Sequence, residues 1–127
     1  MDALVARYIA EYAAVMAGPV AAEVVDAILA QHLVVDGVYR EWLIHAGGGP
    51  IGSDWYDRPD ELIGSQAKFA SECWGIKGFV IGWDGAGNPI VLQKSGAVVV
   101  PDHNFGGTHV RAESFAQLLM AGLSAPR

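Results

Sequence analysis

The chain is poor in cysteine and in positive charge. One cysteine, Cys73, stands among 127 residues, so no internal disulfide can form and no disulfide framework can replace a core. Lysine and arginine number 8 against 14 aspartates and glutamates, a net charge of −6. Nothing in that balance neutralises a run of phosphates, which argues against direct binding of nucleic acid. No stretch of about 18 uninterrupted apolar residues occurs, so no transmembrane helix is expected. The opening MDALVARYIAEY begins with an acid and has no long apolar run, so no signal peptide is expected either. A cytoplasmic protein without membrane contact is the expectation.

Familiar catalytic patterns are missing as well. There is no Gly-x-Ser-x-Gly elbow, no His-Glu-x-x-His, no Cys-x-x-Cys and no Gly-Lys-Ser/Thr. Ser53 follows a glycine but precedes Asp54 in a turn-rich stretch. Cys73 falls on the apolar side of a helical pattern, where a small buried thiol is expected rather than a nucleophile. No catalytic residue, metal ligand or cofactor site is assigned.

What is present is apolar material. At 52% hydrophobic and 17% charged, the chain can build one real core, and a single domain over residues 1–127 is expected. An acidic surface suits a basic partner, though acidity also serves solubility.

The periodicities give the layout. Leu4, Val5, Tyr8, Ile9, Tyr12 and Val15 or Met16 lie on one helical face over 2–17, with Asp2 as cap and Gly18-Pro19 as stop. A second helix is expected from Pro19 to about His32, with Val20, Val24, Val25, Ile28 and Leu29 as its face. A third follows the Asp36 cap, carries Tyr39, Trp42, Leu43 and Ala46, and ends at Gly47. Residues 47–61, GGGPIGSDWYDRPDE, read as loop. A helical pattern from roughly Pro59 to Trp74 follows, with a break or kink at Gly64 and with Phe69, Ala70 and Cys73 toward the core. From Gly75 the character turns β. GFVIGW (78–83), PIVLQ (89–93) and AVVVP (97–101) are short, β-branched and separated by turn signals. Such short links require antiparallel pairing. ESFAQLLMAGL closes the pattern as a helix, with Ser114 and Gln117 at capping-box spacing. The order predicts an α+β fold: an antiparallel β-meander packed with amino-terminal helices and one carboxy-terminal helix.

The stretch GWDGAGNPIVL (82–92) could cradle a phosphate, hold a cation or turn a corner. A phosphate loop needs a helix directly after its glycines, and here a strand follows. A calcium loop needs acids at alternate positions, and only Asp84 is there. Asp-Gly and Gly-Asn instead supply the positive φ of a tight turn, and Pro89 opens the next strand. Among His32, His45, His103 and His109, the last two are nearest, with Asp102 beside His103. Their spacing fixes no metal geometry.

One surface feature stands out. SDWYDRPDE (53–61) sets Trp55 and Tyr56 among Asp54, Asp57, Arg58, Asp60 and Glu61. Trp, Tyr and Arg are enriched at binding hot spots, which makes this stretch a candidate partner surface. The alternative is that Trp55 or Tyr56 folds into the core while the acids face water.

The order of several weak motifs resembles the SUKH superfamily, which includes the fungal cell-wall-synthesis regulator and many bacterial toxin-immunity proteins. VDGVYREWLIHAGGGPIG matches a helix with a Tyr and an aromatic-Leu pair ending at a glycine pair: Tyr39, Trp42-Leu43, Gly47-Gly48. Ile81, Gly82, Asp84, Gly85 and Gly87 match a strand entering a Gly-Asp-Gly hairpin. Asp102 and His103 match a strand ending, and Ser114-Phe115 matches the opening of the last helix. The resemblance covers roughly residues 20–123. The family often has Leu-Pro before its Tyr helix where this chain has Val34-Val35-Asp36, and the helix at 2–17 is an addition.

The resemblance implies structural roles for these motif residues and carries over no catalytic residue. It implies an immunity protein, bacterial and non-catalytic, that occludes a cognate toxin domain, often a nuclease or deaminase. The alternatives are a regulatory adaptor of the same fold, or a small-ligand or metal-dependent enzyme using Asp84, Asp102, His103 and His109.

Overall fold

A computed structural model describes residues 1–124; the rest of the expected 1–127 domain lies outside the described residues. Helix α1 (Ala3–Tyr12) starts where the Asp2 carboxylate accepts the N–H groups of Leu4 and Val5, and it tightens into a 3-10 turn at Ala13–Val15. Helices α2 (Ala22–Gln31) and α3 (Gly37–Ala46) follow. Asp36 caps α3 by accepting the Tyr39 N–H, and Gly47, at φ +70°, ends it in the left-handed conformation. Next come β1 (Gly49–Ile51), β2 (Asp54–Tyr56), α4 (Pro59–Ser71), β3 (Phe79–Trp83), β4 (Pro89–Leu92), β5 (Val98–Pro101), β6 (Thr108–Ala112) and α5 (Phe115–Ser124). The strands form one antiparallel sheet in the order β1-β2-β3-β4-β5-β6. The α+β meander expected from the sequence is the architecture.

Both faces of the central sheet are covered, which is why β3, β4 and β5 read as continuous apolar runs. Side chains alternate across the sheet. Phe79, Ile81, Ile90, Leu92, Val98 and Val100 enter the main core with Val5, Tyr8, Leu29, Tyr39, Trp42 and Phe115 from the helices. Val80, Val91 and Val99 face the other way, under Phe69, Ile76 and Trp83. Helix α4 also closes an edge. The Gln66 side-chain amide donates to the Val80 carbonyl at 2.7 Å and accepts the Val80 N–H at 2.9 Å, standing in for a strand where β2 has ended.

Several boundaries differ from expectation. The expected loop at 47–61 contains β1 and β2. Three-residue strands are too short to show alternation, and pairing of Trp55 with Trp83 and Tyr56 with Gly82 holds them in the sheet. Strand β6 went unseen because its first four residues are all exposed. Helix α2 starts at Ala22 rather than Pro19, because Gly18 and Val20 donate their N–H groups to Ala46 and Ile44 and run alongside the end of α3. Helix α4 passes through Gly64 unbroken. It ends at Ser71, so Cys73 lies beyond it and is exposed, as is Ala70. Among the described residues, no helix is long and apolar enough to cross a membrane.

Candidate partner-binding surface

Alternation along β2 and the packing of α4 split the 53–61 stretch into two populations. Tyr56 turns into the core at 1% exposure and meets Trp42 edge-on at 6.4 Å. Asp54 is buried against Arg111, an ion pair that joins β2, next to one edge of the sheet, to β6 at the other. Asp57 is buried too: its N–H donates to the Ile81 carbonyl, and its carboxylate accepts the Ser65 hydroxyl, which itself accepts the Trp83 indole N–H at 2.9 Å. Burial raises the Asp57 pKa; the Ser65 hydrogen bond opposes that shift, and the Glu61 charge adds to it. Asp54 and Asp57 are therefore corrected from surface residues to buried ones, and Tyr56 follows the alternative in which it folds into the core.

Trp55, Arg58, Asp60 and Glu61 remain outside. Trp55 is 42% exposed. Its indole N–H donates to Glu61 Oε1 at 3.1 Å, and the same oxygen accepts the Arg58 N–H at 2.9 Å, closing the first turn of α4. Arg58 Nε reaches Asp60 at 3.2 Å. Arg58 and Asp60 form one wall of an apolar groove of about 610 Å³ between α2 and α4, lined further by Pro19, Val20, Val24, Ile28 and Ile63. Val24 is 48% and Ile63 61% exposed. The sequence hid this groove: Val20, Val24 and Ile28 read as one core face, whereas Val24 is exposed and Val20 and Ile28, half-buried against the core, also line the groove. An apolar stripe wider than the core needs was the available signal.

The residues of the alternative chemistry are engaged in holding loops. The Asp84 carboxylate accepts the N–H groups of Ala86 and Asn88 at 2.9 and 2.8 Å and the Asn88 side-chain amide at 3.1 Å. Burial opposes its ionisation, but these hydrogen bonds and the Arg111 charge outweigh burial and lower its pKa. Gly87 takes φ +85°, and β4 begins at Pro89. The segment is a turn closed on its own acid. Asp102 accepts the N–H groups of Asn104 and Phe105 and lies 3.9 Å from His109. His103 is tied to the Asn88 side chain. His32 packs against Phe79, and His45 lies near Glu41. Among the described residues, no three His, Cys, Asp or Glu side chains are grouped to hold a metal ion.

The motif residues serve packing. Tyr39 and Trp42 are fully buried, and Phe115 meets Tyr39 at 5.0 Å. A Cβ on Gly47 would lie 1.8 Å from the Gly18 carbonyl oxygen, one on Gly48 2.8 Å from the Arg58 backbone, and one on Gly82 2.5 Å from the Trp55 carbonyl oxygen. Gly85, next to Asp84, is open to solvent and needs no positive φ. The Ser114 hydroxyl accepts the Gln117 N–H, and Gln117 returns to the Glu113 N–H.

No protein-family model matches the chain, and no curated protein matches it.

Proposed function

We propose that the chain is an immunity-type binding protein that neutralises a cognate toxin domain by covering it. The observation that carries this reading is the Trp55–Glu61 clip beside the α2/α4 groove. A large aromatic is held half-exposed by a hydrogen bond, next to an apolar trough with charged walls. That combination matches the anatomy of a binding hot spot, an aromatic anchor and apolar pocket inside a polar rim. The surplus of acids supports a basic partner, such as a nuclease or deaminase whose own cleft accepts phosphates. The SUKH resemblance supports the same class, and the antiparallel α+β layout agrees with it.

A regulatory adaptor would use the same surface with a different partner. The distinguishing experiment is co-purification and calorimetry with the toxin domain encoded beside the chain's gene. Tight binding that abolishes toxin turnover supports immunity. Absence of such a neighbour, or binding without loss of turnover, supports the adaptor.

A further inference from the structure

A second groove, about 820 Å³, opens between residues 72–76 and the turn at 101–108, with the Asp84–Asn88 hairpin as its third wall. Its volume is in the range of ligand sites. We infer that it receives the guanidinium group of an arginine presented by the protein partner.

The groove is organised by a relay that fixes one imidazole. Asn88 is buried, and its side-chain N–H donates to Asp84 Oδ2 at 3.1 Å. That sets the amide orientation, so Asn88 Oδ1 faces His103 and accepts its backbone N–H at 3.1 Å. The same oxygen contacts His103 Nδ1. An amide oxygen cannot donate, so His103 Nδ1 carries a proton and the ring is held in place. Trp74 packs edge-on against this ring at 5.8 Å and 80°. The Trp74 indole N–H is already given to Glu72 Oε1 at 3.1 Å, which leaves the indole its π face and Glu72 further acceptor capacity.

Beside that ring, the groove offers carboxylate acceptors and the indole surface of Trp74. Glu72 and Asp102 contribute carboxylates, and no lysine or arginine is among the described residues lining it. A planar cation rich in N–H groups is the complementary ligand. Guanidinium stacks on indole and pairs with a carboxylate through a fork, which an ammonium cannot do. The groove also shares an end of the sheet with Trp55. Trp55 pairs with Trp83, Trp83 pairs with Pro89, and the hairpin between those two supplies Gly87 to the groove wall. The inference rests on the protein-binding reading for the source of the arginine, not for the chemistry of the groove.

The test is a ¹H–¹⁵N NMR titration of the full chain with N-acetyl-L-arginine amide, beside its uncharged citrulline and its lysine counterparts. Saturable shifts confined to Trp74 Nε1–H and residues 73–76, 86–88 and 102–108 are expected for the arginine compound, with weaker shifts for lysine and none that saturate for citrulline. Glu72→Gln, at an exposed position, should weaken arginine binding by about fivefold or more. No saturable shift, equal shifts with citrulline, or unchanged affinity in Glu72→Gln would overturn the inference. None of those results touches the Trp55 surface, whose own test is partner affinity.

Discussion

The Trp55 indole N–H and the Arg58 backbone N–H converge on one oxygen of Glu61, at 3.1 and 2.9 Å. The proposed anchor is thus held to the first turn of α4 in the free chain, which would lower the ordering cost of binding. Trp55→Ala is expected to weaken partner affinity by about 2 kcal/mol or more and to leave the melting temperature nearly unchanged, because the ring is 42% exposed. Calorimetry and thermal unfolding on the same variant check this. Loss of stability with normal affinity would make Trp55 a packing residue.

Arg111 and Asp54 form the ion pair between β6 and β2. Burial alone would lower the Arg111 pKa; the hydrogen bond and charge of Asp54 outweigh it and raise the value. Arg111→Ala would leave Asp54 buried without its cation. The expected loss is about 2 kcal/mol, below the cost at a fully buried pair because the arginine keeps some solvent contact. The double variant Asp54→Leu/Arg111→Met should recover much of that loss in urea unfolding.

Asp57 provides a pH test. Its folded pKa is raised, chiefly by burial, above the ordinary value of 3.8. The folded state therefore holds this proton more tightly than the unfolded chain does. Ionised Asp57 costs stability above the folded pKa, and that cost disappears as pH falls toward the unfolded value. Asp57→Asn keeps an acceptor for the Ser65 hydroxyl and removes the charge. It should equal or exceed the parent in stability at neutral pH, with the difference shrinking steadily into acid. Urea unfolding at a series of pH values shows whether the difference moves that way.

The Tyr39 hydroxyl is fully buried and has no hydrogen-bond partner among the described residues. Burial, with the nearby charges of Asp57 and Asp36, raises its pKa well above the usual value, so the ring stays neutral. Removing an unsatisfied buried polar group is neutral or stabilising when the shape is kept. Tyr39→Phe is expected to leave the melting temperature unchanged or raised. A clear drop would mean that the hydroxyl is hydrogen-bonded after all.

The fold was legible where local signals and packing agree. Asp2, Asp36 and Ser114 sit where their side chains bond the first free N–H groups of helices, and apolar β3, β4 and β5 are covered on both faces. Strands β1, β2 and β6 were not legible, because their conformation comes from neighbours across the sheet rather than from their own residues. The candidate surface was half legible. Residue types marked 53–61, but alternation in an unrecognised strand decided that Trp55 faces out while Asp54 and Tyr56 face in, and Ser65 of α4 decided the burial of Asp57. The groove beside it depends on how α2 and α4 lie against each other, which no single stretch encodes.

The most direct measurement of the proposed immunity role is a titration of the purified chain into a candidate toxin domain from its gene neighbourhood, following that domain's own turnover. The account predicts stoichiometric loss of turnover, with Trp55→Ala shifting the inhibition curve by about thirtyfold, the equivalent of 2 kcal/mol. Full toxin turnover at saturating chain would contradict it.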